Sequence, residues 1–285
     1  MGPDAFRAAG LAEMIAEMGF GVTDIGNVAP AMRRAGLSED QHLYALPETV
    51  AWADSLTAAA EAACAQGFPI FLGGDHAMSI GTVAGVARHA VAADRELFVL
   101  WLDAHTDLHT PQSTSSGHLH GTSLGYIAGS PGFDAFLPMP RPVPPENIGL
   151  FGLRSVDAPE RECLATKPML AVDMRMIDEV GIARPLSSFL DKVAARNGLL
   201  HVSFDVDFLD PSIAPAVGTT VPGGATYREA HLVMEMLCDS GLVTSLDLVE
   251  LNPILDERGR TVSLMVDLTA SLLGRRVFDR PTRSF

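Results

Sequence analysis

The chain has 285 residues, 47% of them apolar, and a formal net charge of −15. That length supports one large buried core, and the absence of a compositionally distinct linker predicts a single domain over residues 1–285. The acidic balance argues against nucleic-acid or anionic-membrane partners, which would need a basic patch, and no apolar run reaches the roughly 18 residues of a membrane span.

An Ala-rich stretch at 49–66 has helical length, and the apolar run 68–72 that follows reads as a buried strand. It ends in Gly73-Gly74-Asp75-His76, where glycine permits a tight exit. A second amphipathic helix is predicted over 77–93, with Asp75 either capping it or hydrogen-bonding a ligating histidine. The run 97–102 reads as a strand and stops abruptly at Asp103-Ala104-His105-Thr106-Asp107. The loop 108–121, rich in Ser, Thr, His and Gly, follows directly and is placed to handle substrate. Six prolines within 131–145 predict an irregular connection, stiff at the surface or used as a subunit contact. Further strands are predicted at 148–153, 199–204 and 243–251, with helices at 185–197 and 226–240. Asn197-Gly198 closes the first of these helices, and Thr226-Tyr-Arg-Glu229 opens the second as a capping box. Strand–helix alternation of this kind predicts an α/β three-layer sandwich with a central, mostly parallel sheet. Sites in such sheets lie beyond the carboxyl ends of the strands, which is where the motifs fall.

Metal chemistry follows from the charged strand ends. Side chains at i and i+2 of an extended chain point the same way, so Asp103 and His105 converge, as do Asp205 and Asp207. A buried carboxylate costs several kcal/mol unless it is paired or binds a cation. With His76 and Asp107 the candidate ligands number six: four carboxylates and two imidazoles, without a thiolate. That set suits a divalent ion such as Mn²⁺ better than structural zinc, and two ions would balance the four aspartates. Cys64, Cys163 and Cys238 are widely separated and odd in number, fitting three reduced thiols in a cytoplasmic protein. His42, His89 and His231 are expected on exposed faces, and His201 in the core or behind the metal ligands.

The motifs Gly73-Gly74-Asp75-His76, Asp103-Ala-His105-Thr-Asp107, Ser116-Gly117-His118-Leu119-His120-Gly121 and Gly152-Leu153-Arg154-Ser155-Val156-Asp157 are similar to those of the arginases, in the ureohydrolase family of dinuclear manganese enzymes. So are Ser203-Phe-Asp205-Val-Asp207-Phe-Leu-Asp210-Pro211 and Asp247-Leu-Val-Glu250-Leu-Asn252-Pro253, and the likeness covers essentially the whole chain. The resemblance implies two Mn²⁺ per subunit, one held by His76, Asp103, Asp107 and Asp205, the other by Asp103, His105, Asp205 and Asp207. It implies hydrolysis of L-arginine to L-ornithine and urea by a metal-bridging hydroxide, in a trimer or hexamer. Asp103 would relay the proton to the leaving amine, His120 would shuttle protons, and Glu250 would bind the guanidinium. Thr114, Ser116, Asp157 and Thr219 match substrate-binding positions, whereas His109 and His118 stand where asparagine is common. Either imidazole can still donate to a carboxylate. Asp157 favours a substrate with an α-ammonium over agmatine or guanidinobutyrate. A two-metal phosphoesterase would need a cation near the metals, for which the motif loops offer mainly Arg154, and a non-catalytic metal-stabilised oligomer would be expected to lack a ligand or the shuttle.

Overall fold

A computed structural model describes residues 1–32 and 42–276. Among them six strands form one sheet: β1 (Ile70–Leu72), β2 (Leu97–Leu102), β3 (Ile148–Leu153), β4 (Leu170–Asp173), β5 (Leu199–Asp205) and β6 (Val243–Val249). Their order is β1-β6-β5-β2-β3-β4 and every pairing is parallel. The helices are α1 (Gly2–Ala8), α2 (Leu11–Glu17), α3 (Leu46–Cys64), α4 (Ser79–Ala92), α5 (Ser123–Ile127), α6 (Ala158–Thr166), α7 (Met174–Val180), α8 (Ala183–Ala195), α9 (Tyr227–Ser240) and α10 (Arg260–Leu272). None is long and apolar enough to cross a membrane.

The pleat of β2 divides the protein into its layers. Phe98, Leu100 and Leu102 enter one core with α8, α9 and α10, while Leu97, Val99 and Trp101 enter a second with α3, α4 and α5. All six β2 residues are buried, the pattern of a strand covered on both faces. From β2 the chain passes along the second core through α5 to its neighbour β3. From β5 it passes along the first core through α9 to β6, on the other side. The adjacent ends of β2 and β5 therefore part company, and a crevice opens between them. Asp103 follows β2 directly, and Asp205 is the last residue of β5.

The structure departs from the sequence-based expectations in small ways. β4 was not expected; it is four residues long, on the sheet edge and only partly buried, so it lacks an apolar run. Asn197, at φ +49°, makes the left-handed turn after α8 itself. His231 is fully buried rather than exposed. Its ring lies on the inner face of α9, with Nδ1 2.9 Å from Ser271 Oγ and Nε2 3.4 Å from Asp267. His42 is exposed, His89 half-buried and His201 buried. The proline-rich stretch forms no helix or strand until a 3₁₀ turn at Pro145–Asn147.

Candidate dinuclear metal centre

His76 begins a 3₁₀ turn (His76–Met78) capped by Asp75, whose Oδ1 accepts the Ala77 N–H at 2.8 Å. Strand β6 and Glu250, the residue just after it, brace this turn with three bonds. Gly73 N–H donates to Leu248 O at 2.8 Å, Glu250 N–H to Gly74 O at 2.7 Å, and His76 N–H to Glu250 Oε1 at 2.6 Å. Glu250 sits at φ +64° and Asp107 at φ +50°, a left-handed backbone that side-chain-bearing residues rarely adopt. Such strain, on the order of 1–3 kcal/mol, persists where surrounding bonds over-determine it. Here the brace to Gly74 holds Glu250, and Gly125 N–H bonded to Asp107 O at 2.9 Å holds Asp107.

The His76 ring is sandwiched by its surroundings. It stacks on Trp101 with centroids 4.1 Å apart and planes 3° from parallel. Ser203 Oγ lies 2.8 Å from Nε2, which leaves Nδ1 to face the crevice. Nδ1 then lies 3.2, 3.2 and 3.0 Å from oxygens of Asp103, Asp107 and Asp205. One N–H cannot serve three carboxylates, and both His76 Nδ1 and Asp103 Oδ2 are buried without a hydrogen bond. Orphaned buried donors converging on a point fit a cation held between them. Across from it, His105 Nδ1 lies 3.0 Å from Asp207 Oδ2 and 3.4 Å from Asp103 Oδ1. The two ligand groups, His76–Asp103–Asp107 and Asp103–His105–Asp207, share Asp103. Backbone N–H groups fix the remaining oxygens: His105 N–H on Asp103 Oδ1, Asp207 N–H on Asp205 Oδ1, Ala104 N–H on Asp207 Oδ1.

Electrostatics gives the same reading. Burial raises the Asp107 and Asp205 pKa values far above the carboxylate range, and the neighbouring aspartates raise them further. Burial would lower the two histidines, but Asp103 and its neighbours outweigh it and hold His76 at about 9 and His105 at about 11. Protons are thus drawn into a cluster of four buried aspartates; two divalent ions would meet the same charge.

A cleft open to solvent lies above the centre. His109, Thr114, Ser116, His118, His120, Asp157, Thr219 and Glu250 all line it, along with every predicted ligand except Asp207, which lies behind. Thr219 Oγ1 reaches Asp207 Oδ2 at 3.4 Å. His109 bridges Ser113 Oγ and Asp157 Oδ2, each at 3.1 Å. His118 stacks between Tyr44 and His120 at 4.8 and 5.5 Å. His120 Nδ1 lies 3.6 Å from Asp75 Oδ2, and this bond raises the pKa of the imidazole. Burial raises Glu250, as does the charge of Asp75. Asp75 therefore caps the turn and faces His120, while Ser203 is the residue behind His76.

Sequence reasoning missed Glu160, which lines the cleft and joins the substrate loop to α6 through Leu108 N–H at 3.2 Å and Asp157 N–H at 2.9 Å. The Asp157-x-x-Glu160 spacing of a capping box was its available signal. Arg154, the one cation of the motif loops, is turned away from the cleft. It donates to the carbonyls of Gly152, Asp207, Leu209 and Val221. Among the described residues no Lys or Arg lines the cleft, so none of them supplies the phosphate-binding cation that a phosphoesterase would need.

The arginase family model matches residues 1–274. The chain belongs to the arginase family. It is 59% identical to an arginase of Brucella melitensis over 286 aligned positions, covering all of this chain and 94% of that protein. It is 56% identical to an arginase of Agrobacterium fabrum, covering all of this chain and 88% of that one. Among solved structures, an arginase from Bacillus caldovelox superposes with a TM-score of 0.88 at 38% identity, over 97% of this chain and 93% of the other. An agmatine ureohydrolase of Thermoplasma volcanium, at 20% identity and a TM-score of 0.65, shares the fold.

Proposed function

We propose that this protein hydrolyses L-arginine to L-ornithine and urea at a centre that holds two Mn²⁺ ions. The observation that carries the reading is the pair of ligand groups joined through Asp103 beneath Glu250. The names of the Brucella and Agrobacterium relatives support the substrate. Oxygen and imidazole donors without a thiolate support manganese. When bound, the ions supply Lewis acidity, making a water acidic enough to act as a nucleophile at neutral pH.

The chain's own groups do the rest. Glu250 keeps one oxygen on the His76 N–H and turns the other to the guanidinium, fixing the electrophilic carbon over the strand ends. Asp103 lies at the point common to both ligand groups and can pass a proton to the departing amine. His120, held by Asp75, carries protons between the cleft and solvent. Asp157 reads the α-ammonium, while Thr114, Ser116, His109 and His118 offer donors for the α-carboxylate. One observation favours a second reading, a guanidino compound without an α-ammonium: His109 already occupies Asp157 Oδ2. Release of urea and ornithine from arginine, compared with urea from agmatine and 4-guanidinobutyrate at equal concentration, tests it. Faster turnover of either of the last two would overturn the arginine assignment. Assembly as a trimer or hexamer is part of the proposal and is checked by light scattering. A cytoplasmic location is supported by three unpaired cysteines.

A further inference from the structure

Metal-competent side chains beside the cleft extend beyond the dinuclear ligands. Asp75, His120 and Glu250 each bring one donor atom within 4.8 Å of the others. Both carboxylates are anchored by one oxygen and leave the second for the cluster. Asp75 Oδ1 accepts the Ala77 N–H, so Oδ2 is the atom that faces His120 Nδ1 at 3.6 Å. Glu250 Oε1 accepts the His76 N–H, so Oε2 is uncommitted. The His120 ring is set by its stack on His118, with planes 9° from parallel. A tetrahedral ion with bonds of about 2.1 Å holds its ligand atoms about 3.4 Å apart. The Asp75–His120 separation is already near that value, and rotation of the Glu250 side chain can close the third edge.

Charge points the same way. Four aspartates balance two divalent ions in the centre below; Asp75 and Glu250 add two negative charges beside it, with Asp157 and Glu160 further along the cleft, and among the described residues no Lys or Arg lines it. A guanidinium would neutralise one of the Asp75 and Glu250 charges, and a divalent cation both.

We propose that Asp75, His120 and Glu250 form a third cation site, distinct from the dinuclear pair, that takes one borderline divalent ion such as Zn²⁺ in competition with a guanidinium. The competition rests on the reading of Glu250 as the guanidinium carboxylate; the site itself rests on the donor geometry. Its occupation withdraws His120 and Glu250 from the reaction together, so the ion inhibits without displacing manganese.

Protein loaded with Mn²⁺ is titrated with Zn²⁺ against a chromogenic chelator, and both metals are counted after gel filtration. The expected result is one Zn²⁺ gained per subunit with two Mn²⁺ retained. Its affinity falls as guanidinium chloride is raised through the low millimolar range. Asp75→Asn keeps an oxygen for the Ala77 N–H, hence the cap, but removes the ligand, and should weaken Zn²⁺ binding at least about tenfold. His120→Asn should do the same without touching the turn. Zinc uptake matched by manganese loss, no third ion, or a third ion indifferent to both substitutions or to guanidinium would overturn the proposal. Fewer than two Mn²⁺ before zinc is added would sink the dinuclear reading along with it.

Discussion

At the floor of the cleft Asp103 and Asp205 stand at the ends of β2 and β5, strands hydrogen-bonded on both sides, and every aspartate there is buried. At the rim, along 108–121 and the start of α6, the side chains bond chiefly to one another: His109 to Asp157, Thr114 to Ser116, His118 stacked on Tyr44. The floor has little freedom, because moving Asp103 would disturb its own N–H bond to Phe151 O and the ladder beneath it. A rim residue can change without disturbing the sheet. Hydrolytic chemistry and substrate choice therefore occupy separate parts of the fold, and substitutions should sort accordingly.

The largest effect is expected at the residue both ligand groups share. Asp103→Ala should abolish the binding of both ions and reduce activity to background, whereas His105→Ala should spare the group built on His76. Metal counting by atomic absorption decides the matter; Asp103→Ala protein that retains two ions would refute the shared-ligand geometry. One step smaller is His120→Asn, expected to cut turnover about 10²- to 10⁴-fold while both ions remain. Unchanged turnover in that variant would remove His120 from proton transfer.

How far the sequence disclosed this architecture depended on what each residue does locally. Strands β2, β3, β5 and β6 were legible because strands covered on both faces are predominantly apolar along their length. The ligands were legible because carboxylates at i and i+2 ending such a run have no packing role. The edge strand β4 was not, since partial burial asks for no such run. Nor was the burial of His231: an imidazole on a helix reads as polar until its partners Ser271 and Asp267 on α10 and the ring of Tyr227 are known. The Asp75–His120 pair and the bond from Leu108 N–H to Glu160 were hidden for a related reason, although the capping-box spacing of Glu160 with Asp157 was visible. Their partners are brought near by tertiary folding, which spacing along the chain does not show.

At the rim, losing a charge-assisted hydrogen bond costs about 1.5–3 kcal/mol. Asp157→Ala should accordingly lower kcat/KM for arginine by one to two orders of magnitude and leave agmatine, which has no carboxylate, nearly unaffected. Equal losses for both substrates would show that Asp157 acts through the loop, by way of His109, and not on the α-ammonium.

The smallest expected effect concerns the floor without its ions. In the metal-free protein His76 has a pKa of about 9, because the attraction of Asp103 and Asp107 outweighs the cost of burial. A histidine raised above its unfolded value near 6.5 contributes stability that is fully present below that value and is lost as pH rises through the folded one. Burial and mutual repulsion raise Asp107 and Asp205 as well, and stability from a raised carboxyl is likewise lost on the alkaline side. The metal-free Tm should therefore fall by a few degrees between pH 6.5 and 9. Manganese requires the same groups deprotonated, so the stabilisation it confers should grow over that interval and proton release on binding should shrink. Scanning calorimetry at the two pH values, with and without Mn²⁺, reads both trends. A metal-free Tm that rises with pH would mean that these charges do not govern the stability of the floor, and the contrast with the rim would then have to rest on backbone bonding alone.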